Sequence, residues 1–273
     1  MATAVFFHAH PDDESISTGG TMAAMADAGH RVVLVTATRG ELGEVPEGLL
    51  GPGETLSERR ARELAAACAE LGVARQEYLG YRDSGMAGEP TNDDAACFWQ
   101  ADVDEAAGRL AAILEQEQAD VLVAYDEHGG YGHPDHIQVH RVGGRAAELA
   151  GTPSVFEATM NRDAIARMMT QAMASLSEEE RAGMPDPAEF DPNAPADDGN
   201  PFGTPEAEIT HEVDVRAWVA RKRRSIACHR SQVTDASFFL AMPDEAFADA
   251  FGTEWYIRRG APLAGPQPGW LFE

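Results

Sequence analysis

Two observations predict an α/β fold for this chain, a mainly parallel sheet with helices on both faces. Short apolar, β-prone runs alternate with longer helical patterns, and a βα order favours parallel crossovers. Two of those runs lead into a pair of matching polar motifs, His10-Pro11-Asp12-Asp13-Glu14 and His133-Pro134-Asp135-His136. Polar residues that follow a buried strand fall at the carboxyl edge of a sheet, where open α/β folds bind ligands.

Taken in order, Ala4-Val5-Phe6-Phe7 reads as the first buried strand. Glu14 to Ala28 is expected to be a helix stopped by Gly29, with Gly19 and Gly20 packing closely on the sheet. Val32-Val33-Leu34-Val35 is the next strand, and a Gly- and Pro-rich loop runs from it to Glu54-Thr55. Leu56 to Leu71 forms an Ala-rich helix ended by Gly72, with Cys68 on the apolar face beside Leu64 and Leu71. Glu77 to Tyr81 reads as a shorter strand. A loop at Asp83, a helix through Leu110, Ile113 and Leu114, a strand at 121–125, the His136 helix and a strand near Val155-Phe156 complete the alternation.

Residues 174–205 break this pattern, being rich in Pro, Asp and Glu. They read as a mobile loop or lid, or as a surface insertion without a role. Beyond them Ile209 to Asp214 is an expected strand and Ala217 to Ala227 a basic helix. Its run Arg221-Lys222-Arg223-Arg224 suits a solvated face in an acidic protein better than a phosphate site. Trp255, Tyr256 and Trp270 in the tail either cover the sheet or make a subunit contact, which leaves a homo-oligomer open. There is no internal repeat, and residues 1–273 read as one domain.

The spacing within the two motifs points to a divided metal site. A catalytic Zn²⁺ takes about three protein ligands and keeps one position open for water. His10, Asp13 and His136 can fill that set, since a histidine and an aspartate three residues apart converge where the chain turns helical after Pro11. Asp12 is then left beside the metal, able to take a proton from water. His133 and Asp135 remain to stabilise an oxyanion, protonate a leaving amine or support a ligand. Two alternatives stay open on the residues alone. His140 lies one turn after His136 and could complete an i, i+4 chelate, and His8 shares strand parity with His10.

Composition excludes several rivals. A net charge of −25, with 21 basic and 46 acidic residues and no basic patch interleaved with aromatics, argues against nucleic-acid binding. No apolar stretch approaches membrane-spanning length, and the chain passes from Met1-Ala2-Thr3 directly into a strand, so a cytoplasmic protein is expected. The three cysteines, Cys68, Cys97 and Cys228, are widely spaced and imply no disulfide framework. Cys228 beside His229 makes a poor nucleophile pair, because adjacent helical residues do not face each other.

The segments Ala9-His10-Pro11-Asp12-Asp13-Glu14, Thr38-Arg39-Gly40-Glu41, Arg82-Asp83-Ser84-Gly85-Met86 and Gly130-Tyr131-Gly132-His133-Pro134-Asp135-His136 together resemble the LmbE-like (PIG-L) zinc deacetylase family. The mycothiol-pathway deacetylases are the branch they resemble most. Cys228-His229-Arg230-Ser231-Gln232 is similar to a His-x-Ser/Thr-Gln segment of that family. The resemblance implies a Rossmann-like fold and removal of an N-acetyl group from a glucosamine-containing small molecule, with a GlcNAc-inositol as the first expectation. It implies Zn²⁺, or Fe²⁺ in its place, on His10, Asp13 and His136. Asp12 would be the general base, and His133 an acid or oxyanion stabiliser oriented by Asp135. Tyr131 would polarise the carbonyl, while Arg62, Asp83 and Glu44 would contact substrate. The nearest rival enzyme is an amidase of thiol conjugates of the same sugar, whose relatives tend to carry Pro at the position of Gly132. A non-catalytic zinc- or sugar-binding protein would have no need of Asp12 and His133.

Overall fold

The computed structural model describes residues 1–175, 191–196 and 198–272. Its centre is an eight-stranded sheet in the order β3-β2-β1-β4-β5-β7-β6-β8. Strands β1 (Thr3–His8), β2 (Arg31–Thr36), β3 (Arg75–Tyr78), β4 (Val121–Tyr125) and β5 (Ser154–Thr159) are mutually parallel. Residues 4–8 of β1, 32–36 of β2 and all of β4 are buried without alternation, as strands covered on both faces must be. Helices α4 (Val103–Glu117) and α5 (Pro134–Ala150) pack together as one layer; α2 (Gly19–Asp27), α3 (Leu56–Leu71) and α7 (Val219–Ile226) form the other, and α6 (Arg162–Ser175) follows β5.

The order of strands makes the site. From β1 the chain steps through β2 to β3 on one side, then crosses to β4 and β5 on the other. The segments that leave the carboxyl ends of β1 and β4 therefore diverge, and the crevice between them is the topological switch point. Both histidine motifs enter it, the first through α1 (Asp13–Ser17) and the second at the start of α5. Close packing keeps α5 near the sheet: a Cβ built on Gly143 would lie 2.9 Å from the Cβ of Ala124 in β4.

Several expectations change, and the strand expected over Glu77 to Tyr81 is found at Arg75–Tyr78. The first helix is two, α1 and α2, broken at Thr18 with φ −132°, and Gly20 lies against Val215 rather than the sheet. Trp255 and Tyr256 belong to the sheet itself, in β7 (Thr253–Arg258), which runs antiparallel to β5 and to β6 (His211–Asp214). β8 (Gln267–Pro268) closes the edge beside β6. The basic run of α7 does not form one solvated face. Lys222 is buried on Glu254 at 2.7 Å, while Arg221, Arg223 and Arg224 pair with Asp27, Asp244 and Glu70. Much of the expected loop at 174–205 lies outside the described residues. No helix among the described residues is long and apolar enough to cross a membrane.

Candidate active site

Three histidine rings meet in the crevice. The ring centroids of His10 and His133 are 4.7 Å apart, those of His133 and His136 5.0 Å, and those of His10 and His136 5.4 Å. All three residues are at least nine-tenths buried, and their ligand nitrogens lie within 4.8 Å of one another. Asp13 enters the same space: its Oδ2 is 3.4 Å from His10 Nδ1 and 3.4 Å from His136 Nε2, and accepts the His10 backbone N–H at 2.8 Å.

The hydrogen bonds around the rings decide which nitrogens are free. His136 Nδ1 lies 3.1 Å from the Gly129 carbonyl, which can only accept, so in the neutral ring Nε2 carries the lone pair. That Nε2 is buried and has no hydrogen-bond partner among the described residues. His10 Nε2 lies 3.1 Å from the Asp135 carboxylate, which turns its Nδ1 toward Asp13. Two imidazole lone pairs and a carboxylate oxygen thus converge, a donor set suited to a divalent cation. The carboxylates make this a place for positive charge: burial alone would lower the His10 pKa, yet hydrogen bonds to Asp13 and Asp135 hold it well above its usual value. Burial would likewise raise Asp13, and His136 and His10 hold it well below the carboxylate range.

His133 caps α5. Its Nδ1 accepts the Asp135 backbone N–H at 3.1 Å, so Nε2 is the nitrogen that carries the proton. Burial, with His10 and His136 beside it, pushes its pKa down to about 2, and the ring is neutral at physiological pH. Asp135 reaches this ring through its backbone N–H and not through its carboxylate. The Asp135 side chain turns away from it to His10, and both carboxylate oxygens accept from Ser84, one from its N–H at 3.1 Å and one from its hydroxyl. Tyr131 stands over the cluster, its ring 5.0 Å from that of His136 and 6.2 Å from that of His133.

Asp12 adopts φ 110° and ψ −33° just before α1. Burial raises its pKa to about 6, with Arg60 drawing it down and Asp13 pushing it up. Arg60 Nη2 is 3.3 Å from its Oδ2, and the same guanidinium donates to the carbonyls of Pro11 and Gly40. Arg60 was not among the expected site residues. Its signal was helical spacing: it stands four residues before Leu64 on the buried face of α3. Arg62 lies on another face, its side chain 61% exposed and paired with Glu54.

Of the remaining candidates, Asp83 borders the cluster, with Oδ1 3.7 Å from His10 Nε2. Its oxygens accept the backbone N–H groups of Gly85 and Leu42, which ties two loops together. Glu44 is exposed, and its backbone carbonyl accepts from Gln232. His8 and His140 fall outside the cluster. His8 is bonded to Tyr125 and Thr18, and burial lowers its pKa to about 4. His140 faces Glu157 and Arg259.

A doubly wound sheet with a buried histidine–carboxylate cluster at its switch point defines the class, an α/β enzyme built to hold a metal for hydrolysis. The chain belongs to the PIG-L family, whose model, described as GlcNAc-PI de-N-acetylase, matches residues 5–147. It is 42% identical to a 1D-myo-inositol 2-acetamido-2-deoxy-alpha-D-glucopyranoside deacetylase of Thermomonospora curvata, over 98% of this chain and 95% of the relative. Among solved structures it is similar to N,N'-diacetylchitobiose deacetylase of Pyrococcus horikoshii, with a TM-score of 0.57, 22% identity, and coverage of 94% of this chain and 83% of that one. It is equally similar to GalB, the 4-carboxy-2-hydroxymuconate hydratase of Pseudomonas putida KT2440, with a TM-score of 0.58, 16% identity, and coverage of 98% and 100%. A deacetylase and a hydratase share this fold, so the fold alone does not select the reaction.

Proposed function

We infer that this protein is a metal-dependent N-deacetylase whose substrate is the α-linked N-acetylglucosaminyl-inositol named for its relatives. One observation carries the reading. The lone pairs of His10 Nδ1 and His136 Nε2 converge on Asp13 Oδ2, with an elevated carboxylate at Asp12 next in the chain. Identity of 42% along nearly the whole chain supports the substrate class.

A divalent ion on His10, Asp13 and His136, with zinc first and ferrous iron fitting the same donors, would supply Lewis acidity toward the amide and a water of lowered pKa. Asp13 is preferred over His133 as the third ligand because the free nitrogen of His133 bears a proton. Asp12 then takes the proton of the attacking water, and its pKa of about 6 suits a base at neutral pH. The neutral His133 ring offers its Nε2–H to the oxygen that becomes anionic as the carbonyl is attacked. Asp12 can return its proton to the departing amine. Tyr131 stands beside these rings as a second group for the carbonyl. Asp83 lines the sugar side, and Arg62 and Glu44, both exposed, would meet only the outer part of the substrate.

The thiol-conjugate amidase reading is disfavoured at one position. Gly132 has φ +92°, which a proline, held near −65°, cannot adopt, so the loop before His133 has a different course from one built on Pro.

Acetate release from N-acetylglucosaminyl-inositol, measured beside metal content, tests the reading. Asp12→Asn should keep the metal and lower kcat by about 10²–10⁴-fold, while Asp13→Ala should lose the metal first. Equal metal loss in both variants would reverse the two aspartates. No acetate from the wild-type protein would remove the deacetylase assignment.

A further inference from the structure

The Asp12 backbone is held in an unfavourable conformation. At φ 110° and ψ −33° it lies outside the left-handed well, where Gln118, the other described non-glycine residue with positive φ, sits at 48°. Such a conformation is unfavourable for a residue with a side chain and persists only where its surroundings enforce it. The enforcing contacts are visible. Glu14 Oε2 accepts the Asp12 N–H at 2.9 Å. The other oxygen of Glu14 accepts from His229 Nε2 at 2.8 Å and from Ser15 Oγ. Both Glu14 and His229 are completely buried, and His229 Nδ1 has no hydrogen-bond partner among the described residues.

The turn that carries His229 braces the second clamp as well. Arg60 Nη1 donates to Gln232 Oε1 at 3.3 Å, and Ser231 donates to Glu63 on the same helix as Arg60. Packing alone does not account for this choice of residues. A buried ion pair is a weak stabiliser compared with apolar side chains of the same volume. What the imidazole supplies is one donor, at one place, for Glu14.

We propose that His229, which lies outside the segment matched by the family model, is a positioning residue for deacetylation: through Glu14 it holds the Asp12 main chain in the conformation that aims the carboxylate at the reacting water. The proposal rests on Asp12 being the general base. Since only Nε2 is used, the amide of glutamine can stand in for the ring, whereas that of asparagine, placed like Nδ1, cannot reach Glu14.

Acetate-release kinetics on the metal-loaded full chain compare His229→Gln with His229→Asn. The Gln variant should stay within about threefold of wild type, while in the Asn variant kcat falls about 10–100-fold with KM and metal content unchanged. On an Asp12→Asn background the Asn substitution should have no further effect, because both act through one group. Glu14→Gln, which keeps the side-chain volume, provides a second route to the same cycle should the Asn variant not fold. Equal losses in the Gln and Asn variants, loss of metal in the Asn variant, or a loss that adds in full to that of Asp12→Asn overturns the proposal. Failure of the base assignment itself reads differently: Asp12→Asn alone would then leave kcat unchanged.

Discussion

Asp12 and Arg60 form the pair on which the pH dependence turns. With Asp12 as the proposed base, kcat should rise with pH through the pKa of Asp12, which burial raises and a bound cation would lower. Arg60, 3.3 Å away, favours the carboxylate form, so Arg60→Met should move this rising limb to higher pH. A pH–rate profile checks it, and a limb that stays in place or shifts downward would separate Arg60 from the base. Much of the candidate site was legible in the sequence. The histidines and aspartates of the two motifs identify themselves by type and spacing. Asp135 was harder, because a side chain two residues after His133 turns to His10, far away in the chain, once α5 begins. Arg62 drew attention through its family match, although the 3.6-residue period marks Arg60 as the inward arginine.

Most strands and helices of the parallel half were readable, because their burial is decided by close neighbours in the sequence; the break at Thr18 and the bounds of β3 were not. α3 spans Leu56–Leu71 as its Thr55–Glu58 capping box and Gly72 stop predict. β7 was not readable, since its buried Glu254 looks solvated until it meets Lys222 and the start of α2. Helix packing yields a paired prediction. Gly143→Ala would push its new Cβ into Ala124 and should cost about 1–3 kcal/mol, lifting His136 with α5 and weakening metal binding. Gly108→Ala meets no atom within 4 Å on the exposed face of α4 and should stabilise by up to about 1 kcal/mol. Denaturant unfolding of both variants measures the contrast, and a neutral Gly143→Ala would show that α5 is free to move on the sheet.

Across the whole molecule, the cluster couples metal binding to stability. A ligand that binds only the folded chain at about 100 times its Kd adds about 2.7 kcal/mol, or roughly 5–10 °C in Tm for a chain of this size. Zinc should therefore raise the melting temperature of the metal-free protein. His136→Ala should abolish the shift and His140→Ala should preserve it, since His140 is engaged by Glu157 and Arg259. Thermal unfolding with and without metal decides, and a full shift in His136→Ala would remove His136 from the ligand set.

The insertion of β7 between β5 and β6 also governs the order in which the molecule can be finished during synthesis. β5 ends at Thr159, and its outer edge waits until residues 253–258 emerge, at ordinary elongation rates a delay of roughly 5–20 s. Through that interval the nascent chain carries an open strand edge, the kind of template on which neighbouring chains pair. His229 is also translated late, so the first motif, although made within the first fifteen residues, acquires its brace only when synthesis is nearly over. Truncated chains released before that point would carry every expected metal ligand while lacking both the strand that closes the β5 edge and the contact that holds Asp12.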